Sequence, residues 1–348
     1  MNNTKTATTN DRSSESFLQV LKSKQMSALW VTQAAESPAA RGGLPYPPKL
    51  WRGGEIEALM SWATELVQPG PEAERRVLSL ANPNGGTLTA AVQMVLPGEV
   101  APSHRHTPAA IRFILKGSGA STITNGEPCL MYPGDLILTP AWSWHGHVNE
   151  SDGPMMWMDG LDAPALRALR AGFVFEEYPE GGIQPATKSP GDSYNRYGAG
   201  HLRPLWGQAS SRVSPLLIYP WKQTEDALRN LAKVDSSPFD DVAMEYTNPV
   251  TGGHVTPTIG CCIQLLRPGT HTRAHRHTTS AFYQAFRGSG ATVIDGVSYP
   301  WEEGDFLLLP PMAWHEHINS SSTEEAILFS ITDAPIFEAL DLYREEQR

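Results

Sequence analysis

His104-Arg-His106, followed by Gly117-Ser-Gly-Ala120, Gly134-Asp135, Pro140 and Trp144-His145-Gly-His147-Val-Asn149, is the stretch that decides the fold. Its histidine pair returns 171 residues later as His275-Arg-His277, again followed by Gly288-Ser-Gly-Ala291, Gly304-Asp305, Pro310 and Trp314-His315-Glu-His317-Ile-Asn319. Residues two apart on a strand point to the same face, so His104 and His106 share a face and Arg105 turns away. His145 and His147 share parity for the same reason. Three neutral imidazoles on one face fill three of about six positions around a divalent ion, and imidazole suits iron, copper, zinc or nickel better than magnesium or calcium. Positions left open are what catalysis needs and what a structural metal site avoids. Two copies of such a pattern predict a duplicated β-barrel built around metal chemistry.

The remainder of the 348 residues agrees with that plan, because 30 Gly and 29 Pro spread along the chain favour many short strands. Runs of period two at 88–96, 111–115, 121–124, 136–139 and 155–158 resume at 257–266 and end with 326–330. Helical spacing is read over 13–35, 56–67, 163–171 and 225–233, and Asp333-Ala-Pro opens a terminal helix to about residue 346, matching Asp162-Ala-Pro after the first barrel. The expected fold is all-β with flanking helices, in two jelly-roll (double-stranded β-helix) barrels. A helical arm over 1–74 precedes a barrel at 75–165, and a connection over 166–240 leads to a second barrel at 241–332 and a C-terminal helix at 333–348. The connection should be packed, since it carries Phe173, Phe175, Trp206 and Trp221.

A net charge of −10 argues against nucleic acid or an anionic membrane as partner. No apolar run reaches the roughly 20 residues of a membrane span, and the polar residues 1–15 lack the apolar centre of a signal peptide. Cys129, Cys261 and Cys262 read as reduced thiols, and the expected compartment is the cytoplasm. Helical arms ahead of a barrel commonly pack on a neighbouring subunit, so a homo-oligomer is expected.

Around these histidines the chain resembles the cupins, and specifically the two-barrel (bicupin) gentisate/salicylate 1,2-dioxygenases. Gly98, His104, His106 and Gly117 fit the cupin pattern, but its glutamate is replaced by Ala110, and by Ala281 in the second copy. The resemblance runs from about Arg75 to the C-terminus through Arg75-Arg76-Val-Leu, Asn82-Pro83, Arg112-Phe, Gly134-Asp-Leu-Ile-Leu-Thr-Pro140 and Asp159-Gly-Leu-Asp162. It implies Fe(II) held by His104, His106 and His145, insertion of both atoms of O2, and ring cleavage between C1 and C2 of a small aromatic carboxylate. Gentisate leads, with salicylate, 5-substituted salicylates such as nitrosalicylate, and 1-hydroxy-2-naphthoate beside it. A tetramer is implied too. The chemistry is coherent, because a 2-hydroxybenzoate can chelate a metal that keeps a further position for O2.

Arg112, six residues after His106, shares the inner face if the strand is unbroken, and a guanidinium there pairs with the substrate carboxylate or developing charge. His147 can take or return the proton of the substrate hydroxyl. Arg75 and Gln93 line the pocket by similarity, and the sequence does not separate Arg75 from Arg76 as the one that faces it. Thr89, Ala91 and Gln93 share one face. Tyr283 stands where the second barrel would have Arg112, which places catalysis in the first barrel and leaves open whether His275, His277 and His315 hold a metal. Two other readings stay open: a flavonol- or diketone-cleaving three-His dioxygenase, and a non-catalytic ligand-binding bicupin.

Overall fold

The computed structural model describes residues 14–26, 44–67, 76–80, 86–206 and 212–348. It divides into two units, 1–45 and 46–348. In the first, Ser14–Ser23 forms a helix; the rest of the helix expected to residue 35 lies outside the described residues.

The second unit contains both barrels, each made of a six-stranded and a five-stranded sheet. In the first barrel, strands Arg76–Leu80, Thr89–Val95, Met155–Leu161, Ala110–Lys116 and Leu136–Thr139 form the large sheet. Strands Val100–His106, His145–Val148, Ser121–Thr124 and Glu127–Leu130 form the small one. The second barrel repeats this with Val242–Glu245, Gly260–Leu266, Ala326–Thr332, Ala281–Arg287 and Phe306–Leu309 facing His275–His277, His315–Ile318, Ser289–Ile294 and Val297–Glu302. All ladders are antiparallel, as in jelly rolls. The expected all-β fold of two barrels is what the chain adopts.

Alternation along the large sheets builds two different cores. On the strand Ala110–Lys116, Ile111 and Phe113 point out of the barrel toward the second barrel's large sheet, where Phe113 stacks on Phe329 with centroids 3.9 Å apart. Arg112 and Ile114 point inward, and Ile114 packs with Trp157, Met155 and Ile137. The barrels are therefore joined back to back through an apolar layer, with the histidines on the far side. Gly160 permits that contact, since a Cβ there would come within 2.6 Å of Ile331 Cδ1 across the interface. Two buried carboxylates cross-link the same layer. Asp162 accepts from the Ala109 N–H (2.9 Å) and the Thr258 hydroxyl (2.6 Å), while Asp333 accepts from the Ser280 N–H (2.8 Å) and the Thr87 hydroxyl.

Each barrel is completed by a segment that precedes the other one. Strand Lys49–Trp51, ahead of the first barrel, pairs with Phe306–Leu309 of the second. Strand Ile218–Tyr219, in the connection, pairs with Leu136–Thr139 of the first. The helices that follow these strands, Gly53–Leu66 and Trp221–Leu231, begin without a side-chain cap of their own. Their first N–H groups donate instead to Asp305 and Asp135, both at 2.8 Å. A carboxylate at a helix start satisfies an otherwise unpaired N–H and complements the helix dipole. The Gly-Asp of each repeated motif is thus a helix dock. Burial pushes the Asp135 carboxyl up to about 6.

Three expectations are corrected. The C-terminal helix covers only Ala334–Ala339, and Glu345–Gln347 is a strand laid on His275–His277. Within the expected connection, Phe175–Glu177 does the same for His104–His106. These edge segments are extended because the free edge of each histidine strand needs backbone partners. Of the four connection aromatics, Trp221 packs against the inter-barrel core. Trp206, however, is 83% exposed. Phe173 and Phe175 are held by stacking over histidine rings, not by a core.

Candidate metal centre

In the first barrel the small sheet brings His104 of one strand opposite His145 of the next in direct register. His104, His106 and His145 are buried, and one nitrogen of each lies within 4.8 Å of the others. Nδ1 of each ring is tied to a nearby carbonyl: His104 to Pro102 (3.0 Å), His106 to Pro108 (2.8 Å) and His145 to Ser143 (2.9 Å). A ring whose Nδ1–H is held by a carbonyl presents Nε2 as ligand, in a fixed plane and tautomer. Phe175 stacks on His104 at 5.1 Å, and Phe173 on His106 at 6.3 Å, at the outer edge of the group. Among the described residues the donor set is three imidazoles without a carboxylate, which fits a borderline transition metal such as iron and not magnesium or calcium.

Arg112 lies inside the barrel, but not for the reason parity gave. The chain leaves the small sheet after His106 and enters the large sheet at Ala110, so the strand is broken between them. Register in the new sheet sets the side chain inward, opposite Asp159. Arg112 is 1% exposed; its Nε lies 3.3 Å from Asp159 Oδ1, and its guanidinium donates to the Thr139 hydroxyl. Asp159 Oδ2 accepts from Trp157 Nε1 at 3.2 Å, and the Trp157 ring meets His147 at 4.8 Å. His147 reaches the Thr122 hydroxyl through Nδ1 at 3.0 Å and lies 6.5 Å from the His145 ring. A continuous run of contacts therefore connects the histidine group to Arg112 across the barrel interior.

Gln93 faces the same interior in register with Trp157, and both of its amide atoms are buried without a hydrogen-bond partner among the described residues. Ala91 shares that face, while Thr89 is half-buried at the strand's start. Arg76 points elsewhere: its guanidinium grips Glu99 and the Val67 carbonyl. Arg75 lies outside the described residues. Asp159 and Thr139 lie in stretches that carry the resemblance but receive no role from sequence, and Trp157 is not singled out there; pairing Arg112 with its cross-strand neighbour would have found Asp159.

The second barrel gathers His275, His277 and His315 within the same 4.8 Å limit. His277 and His315 hold carbonyls of Thr279 and Ala313 at 3.0 Å each. Burial, followed by neighbouring imidazoles, keeps His315 well below the usual histidine range, and burial with His275 takes His317 down to about 3. Both rings are neutral at pH 7.

A family model described as Cupin domain matches residues 91–161 and 262–332. The chain is 40% identical over 312 residues to 5-aminosalicylate 1,2-dioxygenase of Comamonas sp, covering 86% of this chain and 82% of that protein. It is 36% identical to gentisate 1,2 dioxygenase 1 of Aquipseudomonas alcaligenes, covering 99% and 98% of the two chains. The chain belongs to the gentisate/salicylate 1,2-dioxygenase family. The crystal structure of salicylate 1,2-dioxygenase from Pseudoaminobacter salicylatoxidans with gentisate agrees, with a TM-score of 0.88 at 32% identity over 98% of this chain and 96% of that one. The chain is thus a bicupin and an enzyme of the ring-cleaving 1,2-dioxygenase class. Among the described residues no helix is long and apolar enough to cross a membrane.

Proposed function

We propose that the first barrel is an Fe(II) site that cleaves a 2-hydroxybenzoate, gentisate or a salicylate, between C1 and C2 with O2. One observation carries the reading above all: a buried arginine, braced by Asp159 and Thr139, on the wall reached from the three histidines. Family relatives named for gentisate and 5-aminosalicylate support the substrate class. His104, His106 and His145 would hold the iron. When bound, it would supply contact between an electron-rich ring and O2 that spin otherwise forbids.

Arg112 anchors the substrate carboxylate, and Asp159 fixes the plane of the guanidinium so that its fork meets the anion. Arg75 is a second anion contact in this reading. Gln93 offers a buried donor and acceptor to the substrate's oxygens, since an unpaired buried amide is costly until a ligand satisfies it. His147, oriented by Thr122, takes the ortho-hydroxyl proton at Nε2. Phe173 and Phe175 shield the ligand rings from water.

A homo-oligomer, a tetramer by family, is part of the same proposal. Helix Gly53–Leu66 exposes Leu59, Trp62 and Leu66 along one stripe that flanks its buried Ile56 and Met60. The free thiols suit a cytoplasmic location. The test is oxygen uptake by Fe(II)-loaded protein on a panel of 2-hydroxybenzoates, with His104→Ala as control. Failure of every one of them to consume oxygen removes the proposal. Unimpaired turnover by Arg112→Ala would favour a flavonol- or diketone-cleaving enzyme instead.

A further inference from the structure

We propose that the second barrel is a separate divalent-metal site whose cavity rejects aromatic carboxylates by charge. The ligand atoms are in place: His275, His277 and His315 group as tightly as the first triad, with Nδ1 of two rings held by carbonyls. A cavity of about 300 Å³ opens onto His275 and His277. That volume matches small-molecule sites, so size alone does not keep an aromatic acid out.

The lining does. Asp240, Glu245, Glu338 and Glu345 face the cavity, and no lysine or arginine is among its described lining residues. Asp240 Oδ1 lies 3.9 Å from His275 Nε2, which places a negative charge beside an ion bound to that ring. His254 bridges Glu245 and Glu338 and offsets only part of the total. Tyr283, Ser330 and Gln264 take the places of Arg112, Asp159 and Gln93, so the wall offers no cation to an anion. Gln264 is also occupied, donating to the Asp240 carbonyl at 2.7 Å. Such a site attracts a cation and repels a carboxylate. Its open positions go to water or to a neutral or cationic ligand.

The experiment strips the full-length protein with chelator and adds Co(II) alone, counting metal per chain and recording the visible Co(II) spectrum. Wild type should hold two ions, and His104→Ala/His145→Ala and His275→Ala/His315→Ala one each, with circular dichroism confirming that each is folded. One ion in wild type and none in the first-barrel variant would overturn the proposal. Glu345→Gln, a mild surface change, should weaken the second ion at least threefold and leave the first unaltered; an unchanged affinity would count against the electrostatic argument. In the first-barrel variant, millimolar salicylate should leave the remaining Co(II) spectrum unmoved, and a shift would show that the cavity admits aromatic acids. These readouts are metal counts and spectra, so they stand or fall separately from ring cleavage.

Discussion

The two barrels share histidines, hydrogen-bonded carbonyls and sheet order, yet their inner walls diverge. Opposite its triad the first has Arg112, Asp159 and Trp157, a charged pair with a donor behind it. At the same register the second has Tyr283, Ser330 and Leu328, and the Tyr283 ring packs on His317 at 5.2 Å. The mouths diverge as well, with Phe175 beside one histidine strand and Glu345 beside the other. In the proposed reading, holding a metal depends on the small sheet and holding an aromatic acid on the large one, so the two are separable.

The sharpest way to break that comparison is to exchange damage between the barrels. His145→Ala should cut ring cleavage by on the order of a hundredfold or more, because even partners behind a metal ligand cost 10–100-fold. The corresponding His315→Ala should leave kcat/KM within about threefold. Equal losses in steady-state oxygen uptake would erase the division of labour. Next in size, Arg112→Gln should lower kcat/KM about 10²–10³-fold, the scale for losing one charge-stabilising donor, while Tyr283→Phe changes nothing.

Below these come effects on stability. Asp162→Ala and Asp333→Ala each remove a buried acceptor shared by both barrels, at about 1–3 kcal/mol apiece, read from denaturant melts. Burial raises both carboxyls above the usual range, so part of each loss is returned as relief of desolvation. A large difference between the two variants would show that the back-to-back layer is less symmetric than its hydrogen bonds.

The smallest effect belongs to the second barrel alone. Hydrogen bonding to Glu245, opposed by burial and aided by Glu338, raises His254 to about 9. A raised folded pKa contributes stability that is full below the unfolded value of about 6.5 and fades as pH rises through about 9. The melting temperatures of wild type and His254→Gln should therefore differ most near pH 6 and converge by pH 10. A constant gap would assign the contact to packing.

Much of this was legible because histidine parity and the repeat are local patterns. His104, His106 and His145 needed only a period of two. Arg112 was placed inside by a parity count that the chain does not obey, because the turn at 107–109 carries it into another sheet. The starts of helices Gly53–Leu66 and Trp221–Leu231 carry no capping residue to read, as their caps arrive from Asp305 and Asp135. Three-residue edge strands such as Phe175–Glu177 are too short for periodicity, and their conformation is dictated by the strand they cover.

The exchange of edge strands has a consequence for synthesis. Lys49–Trp51 leaves the ribosome early but finds its partner, Phe306–Leu309, only when the chain is almost finished. The first barrel, in turn, waits for Ile218–Tyr219 before its large sheet is closed. Pairings this distant are slow to form, because the intervening loop must be ordered first. Neither half is therefore a finished object on its own. A fragment cut between the barrels would carry an unclosed sheet edge and a helix start without its carboxylate, so the duplicated enzyme matures as one piece.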